Sequence, residues 1–268
     1  MGATCANCGR VVPDDGAADP SKKVPCPDCG SLKRNYTMEA AGGAYVPVGG
    51  TATMDVRSSF TATFVCASAG FARRAVDIEA AHPDGIDDAT RIEHRGLVIA
   101  AVTQSVAALE AESWEITSYG PGHHLGSNGI DVQALNFLQP LADIIDGESV
   151  LDRYWTILHL LRKPPLDRGA QPWQDTDLLV RLRNELVHYK SKWGQEMEKQ
   201  RLFKSLKLLH HPCPPFVKGG VNFFPHKCLS AACARWAARS AVAFLEAVYD
   251  KLGIPSPLKA YATYLTGL

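Results

Sequence analysis

The chain is 268 residues long, 46% hydrophobic and 21% charged, with 28 Lys and Arg balanced by 28 Asp and Glu. This is the make-up of a soluble globular protein with a sizeable core, and the even balance excludes a global field that would draw it to nucleic acid or membrane, although a local basic patch stays open. No charged start followed by an apolar run marks a secretory signal. The most apolar stretch, Leu97 to Leu109, is broken by Thr103, Gln104 and Ser105, which excludes a membrane span.

Residues 1–35 are rich in Cys, Pro, Gly and Asp and lack apolar periodicity, so this segment needs a metal to fold. It reads Cys5-Ala-Asn-Cys8-Gly9, then Cys26-Pro-Asp-Cys29-Gly30 after a gap of central length typical of zinc ribbons. Two thiolates three positions apart on a tight turn can both face one metal, and two such turns complete a tetrahedron. The prediction is one structural zinc held by Cys5, Cys8, Cys26 and Cys29, with no open position for metal catalysis. The alternatives are two local disulfides or a redox pair, and the latter normally opens a helix in a βαβ setting that is absent here. Paired cysteines at metal spacing, with the other four scattered, fit a reduced cytoplasm.

Residues 36–86 read as a β-rich connecting segment. Phe60, Ala62, Phe64 and Cys66 alternate with Thr61, Thr63 and Val65, and Ala52, Met54 and Val56 alternate with Thr51, Thr53 and Asp55. Val76 and Ile78 suggest a further strand.

From residue 87 the period becomes helical, and residues 87–255 are predicted to form a helical bundle. Ile99, Val102, Val106 and Leu109 mark one helix. Leu151, Tyr154, Leu158 and Leu161 mark another, stopped by Pro164-Pro165. Asp175 is the expected cap of a third, whose apolar face is Leu178, Leu179, Leu182, Leu186 and Tyr189. A polar helix over 195–209, a proline-rich loop over 211–225 and a long helix from Ser230 to Gly253 follow, with 256–268 a C-terminal tail. The fold class is therefore mainly α, with a four-cysteine ribbon and a short β-rich segment in front.

One constellation carries chemistry. Arg183, Asn184 and His188 offer a planar cation, an amide and an imidazole on one helix. Arg181, Lys190 and Lys192 lie close by and could track backbone phosphates. Spacing alone is weak, since Arg153 and His159 give a similar pair, and a solvated helix edge accounts for the same residues. His210, His211, Cys213, His226, Cys228 and Cys233 invite a second metal but lack a tight knuckle, while Trp173 and Trp193 flank the motif as stacking platforms.

Arg183-Asn184, three residues and His188 resemble the Arg-polar-x-x-x-His motif of HEPN domains. The resemblance extends over about 87–253, through His94-Arg95-Gly96-Leu97-Val98, Tyr154-Trp155-Thr156-Ile157, Pro172-Trp173-Gln174-Asp175 and the closing helix from Cys228-Leu229 through Trp236 and Phe244. It implies a homodimeric, metal-independent endoribonuclease that leaves 2′,3′-cyclic phosphate, in the manner of stress or phage-defence effectors. Arg183 would stabilise the phosphorane, His188 would transfer the proton and Asn184 would hold register. The alternative is a non-catalytic zinc-ribbon and HEPN module that dimerises and binds nucleic acid, or a protein partner through the ribbon.

Overall fold

The computed structural model describes residues 2–12, 24–37, 59–190 and 193–268. The chain divides into a small unit within residues 1–59 and a large one over 60–268.

The small unit is an antiparallel three-stranded sheet of β1 (Gly2–Cys5), β2 (Val11–Val12) and β3 (Arg34–Thr37), in the order β2-β1-β3. Thr4 pairs with Val11 on one side of β1 and with Asn35 on the other. Its buried apolar set is Cys5, Val12 and Cys26, far too little surface to hold so short a chain together without another bond.

The large unit is helical. Its centre is α1 (Thr61–Ala81), α2 (Asp88–Tyr119) and α10 (Ala231–Leu252), all packed on one another. The expected strands at 60–66 and 76–78 are turns of α1. A seven-residue window shows alternation, but over 21 residues Val65, Ser68, Ala69, Ala72, Ala75 and Ile78 are buried at helical spacing. Seven alanines in that stretch reinforce the helix. The helical unit therefore starts at Phe60 rather than at residue 87. The strand expected at 51–56 lies outside the described residues.

The helices α1 and α2 run antiparallel: the Phe60 amide at the start of α1 donates to Glu115 near the end of α2, 2.9 Å away. Asp87 caps α2 by accepting from the Thr90 amide at 3.0 Å. Small residues let the backbones approach, with Ala69, Ala72 and Ala75 of α1, Ala101 and Ala108 of α2, and Ala234, Ala237 and Ala241 of α10 all buried. Glu79 ties the three helices together, accepting from His94 at 3.0 Å and from the Ala231 amide at 2.7 Å.

Short helices α3 (His124–Ser127), α4 (Val132–Leu138) and α5 (Ala142–Asp146) lead into α6 (Val150–Leu160) and α7 (Trp173–Val187). The predicted stripe of α6 is buried, with the Tyr154 ring edge-on to Phe244 at 5.1 Å and its hydroxyl donating to the Leu109 carbonyl at 2.7 Å. The start of α7 is Trp173, so Asp175 sits in the first turn rather than at the cap, where its charge still suits the helix dipole. The single polar helix expected over 195–209 is two helices, α8 (Gly194–Lys199) and α9 (Arg201–Leu208), broken where Gln200 is extended with ψ 141°. Gly253 ends α10 in the left-handed conformation that glycine adopts without steric cost. Residues 256–268 are no loose tail. Leu258 is buried, and α11 (Ala262–Leu265) packs on α1. No helix among the described residues is long and apolar enough to cross a membrane.

Candidate functional site

The four cysteines come together. The Cys5 and Cys29 Sγ atoms lie 3.4 Å apart, those of Cys8 and Cys26 lie 3.6 Å apart, and all four fall within 4.8 Å of one another. Two turns of the same build present them. The Gly9 amide donates to the Cys5 carbonyl, the Gly30 amide to the Cys26 carbonyl, and both glycines hold positive φ, at 75° and 68°. A tetrahedral site with metal–sulfur bonds of about 2.3 Å has sulfur–sulfur edges of about 3.8 Å, close to these separations, whereas a disulfide needs about 2.0 Å. The donor set thus fits a metal ion. Backbone amides of Asn7 and Cys8 bring the Cys5 thiol down to about 6. The Arg10 amide pulls Cys8 the same way, but the Cys26 thiol and burial push it up to about 12. Without a cation the quartet gives up its protons unevenly.

At the other candidate site the structure divides the predicted residues. Arg181, Asn184 and His188 are three and four apart on α7, one above another. They line an open cavity of about 510 Å³ with Glu185, Lys190, Gln200, Arg201 and Leu202. His188 caps the C-terminal end of α7, its amide donating to the Asn184 carbonyl at 3.0 Å. Across the cavity is the start of α9, whose cap residue Gln200 makes no side-chain bond to the first-turn amides. Free amides at a helix start favour an anion. Arg183 is absent from this lining. Its Nη2 donates to Glu110 Oε1 of α2, and its side chain is 19% exposed. Successive helix positions differ by about 100°, so five residues separate Arg183 and His188 in angle, and the long Arg side chain, expected to reach round to His188, turns to Glu110 instead. Lys192 lies outside the described residues. The sequence reading missed Arg201, because a continuous polar helix gave no reason to single out the residue after the break.

Trp173 is buried against Phe244 and belongs to the core, whereas Trp193 is 82% exposed and is not among the residues that line the cavity. Among the described residues, those that invited a second metal form no group of three ligands, although the Cys228 thiol meets that of Cys233 and lies near Cys213. His210 and Cys213 are exposed, Cys228 is buried, and His226 lies 3.3 Å from Arg95. The one other group with metal-ligand geometry among the described residues is Glu112, Glu115 and His123, all buried. Here the imidazole argues against coordination. His123 Nδ1 accepts the Leu125 amide at 3.3 Å, so the ring proton belongs on Nε2, which faces Glu112 Oε1 at 3.6 Å and has no lone pair for a metal. Burial pulls His123 down to about 4 and pushes Glu112 up even though the Tyr249 hydroxyl donates to it. These groups form an internal polar network in which burial favours the neutral form of both the imidazole and the carboxyl.

Compared with family models, curated proteins and solved structures, the chain matches none of them.

Proposed function

We propose that this protein is a HEPN-type endoribonuclease working as a homodimer, with a zinc ribbon in its small unit, the head. The observation that carries the reading is the convergence of His188 and Asn184 on an open cavity rimmed by Arg181, Lys190 and Arg201. Three cations and uncapped helix amides suit a phosphodiester backbone, and an imidazole among them suits proton transfer. Cleavage needs a base to take the ribose 2′-hydroxyl proton as that oxygen bonds to phosphorus. It needs an acid to protonate the departing 5′-oxygen as its bond breaks. The products are a 2′,3′-cyclic phosphate and a 5′-hydroxyl. One His188 from each of two copies supplies the pair. Arg181 and Arg201 hold the phosphate, Asn184 orients it, and Arg183 acts as a positioning residue that fastens α7 to α2 through Glu110. In the head, Cys5, Cys8, Cys26 and Cys29 hold zinc, which ties the turns together and leaves no site for substrate.

A second reading is a binding module that retains RNA uncut. It is favoured by the engagement of Arg183 with Glu110, which removes from the cleft the guanidinium that the family motif would place on the phosphorane. The test is to incubate the purified chain with mixed RNA and assay for cyclic-phosphate ends. Cleavage should fall about 10²-fold or more in His188→Ala. RNA left whole by the wild type, yet retarded on a gel and released by Arg181→Ala with Arg201→Ala, establishes the binding module instead.

A further inference from the structure

A second open cavity, of about 460 Å³, lies away from the α7 cleft, bounded by Gly70, Arg73, Arg74, Val76 and Asp77 of α1, Arg235 of α10, and Gly267. Three guanidinium groups face one carboxylate there. Their positive charge is poorly spent within the protein. Arg74 pairs at 3.2 Å with Glu93, which is not among the residues lining the cavity, and both side chains are largely exposed. The Arg73 Nη1 donates to the Tyr264 carbonyl at 2.7 Å, which fastens the C-terminal segment and engages no carboxylate. Arg235 forms no ion pair among the described residues, and its Nε is buried without a hydrogen-bond partner among them. The Nε is closed to solvent, so the two terminal nitrogens of this cation are the ones left to meet a ligand in the open cavity.

Gly70 lines the same cavity. A Cβ placed there would meet nothing closer than the Arg73 Nη2 at 4.0 Å, so a larger side chain can be introduced at this position to occupy the site. We infer that this cavity is an anion site for a phosphate-bearing small molecule, its phosphoryl oxygens taken by Arg235, Arg74 and the free edge of Arg73. Guanidinium forks match phosphate oxygens two at a time, and a cavity of this size admits a diphosphate or a small phosphate ester. The site is independent of the proposed nuclease cleft and stands whether or not RNA is cut.

The test uses the whole chain and inorganic pyrophosphate, titrated calorimetrically at constant chloride. Saturable binding at one per chain is expected. Arg235→Gln should weaken it at least tenfold. Gly70→Leu should abolish it while raising the melting temperature, since leucine is the better helix former and its side chain fills the cavity. Arg201→Ala, in the α7 cleft, should leave the affinity unchanged. Absence of saturable binding overturns the proposal. So does binding that survives Gly70→Leu and Arg235→Gln but disappears in Arg201→Ala, which would assign the anion to the other cleft.

Discussion

The small and large units are folded by different forces, and each leaves a different mark on its residues. In the head, the buried apolar set is two cysteines and one valine, and four sulfurs sit where a metal would bind them. In the helical unit, burial does the work. Tyr154, Tyr249, Phe203 and Phe244 are enclosed, and small residues bring three helices together. Coordination concentrates stability in four atoms, whereas burial spreads it over dozens of side chains. The head should therefore fail all at once and the helical unit by degrees.

Metal removal gives the largest expected effect. Structural zinc contributes about 10–16 kcal/mol to folding in small domains, so chelation or Cys26→Ser should unfold the head. Backbone NMR signals of residues 2–12 and 24–37 should collapse, while the helical circular dichroism and its melting temperature stay within a few degrees. A helical unit that melts together with the head would break the contrast. Next comes the core. Phe244 packs edge-on against Tyr154 and tilted against Trp173, and Phe244→Ala should cost about 3–5 kcal/mol in chemical denaturation without altering metal content.

How legible each unit was in the sequence follows from the same physics. The cysteine quartet could be read directly, because tetrahedral coordination dictates spacing and the glycines after each pair mark the turns. The stripes of α6, α7 and α10 were legible because they hold large apolar residues at helical period, although Tyr189, expected on the α7 face, lies beyond the helix end and is about half exposed. The first helix escaped because its buried face is mostly alanine and serine, which carry little hydropathy contrast, while Phe60, Phe64 and the threonines mimic a strand. At the candidate cleft, the sequence named Arg181, Asn184, His188 and Lys190 but could not tell that Arg183 turns to Glu110. That partner is 73 residues away, and only the packing of α7 on α2 brings it near. Arg201 stayed hidden for the same reason, since the turn at Gln200 that aims α9 at the cavity has no local signature.

Acid should reach the helical unit through its buried histidines. His123 falls from its ordinary 6.5 to about 4, so between those values the unfolded chain binds a proton that the folded chain refuses. Stability from this residue is complete above pH 7 and drops as pH falls, by about 3 kcal/mol at pH 4. His124, His211 and His226, all pulled down chiefly by burial, add to the same slope. His123→Asn can still accept the Leu125 amide and should flatten this acid limb in denaturation midpoints measured from pH 7.5 to 4.5. Glu112 has the opposite sign. Its carboxyl keeps a proton that the unfolded chain releases, so stability declines as pH rises past 4.5. Glu112→Gln should therefore stabilise the protein at pH 8 more than at pH 5.

The smallest effect on stability decides the most about function. Arg183 and Glu110 are partly exposed, so a double-mutant cycle between them should give about 0.5–1 kcal/mol. On the proposed ribonuclease reading, their influence on RNA cleavage should be larger and should separate two roles. If Arg183 works by holding α7 in place, Glu110→Gln and Arg183→Gln impair turnover alike. Neither then changes the KM for RNA, and His188 keeps its pH profile. Had Arg183 instead to leave Glu110 and settle on the phosphorane, Glu110→Gln would free it and turnover would hold or rise, while Arg183→Gln would lose at least tenfold. Equal loss in both variants makes the ion pair part of the site's framework. Loss in Arg183→Gln alone returns the guanidinium to the cleft, and with it the chemistry that the motif implies.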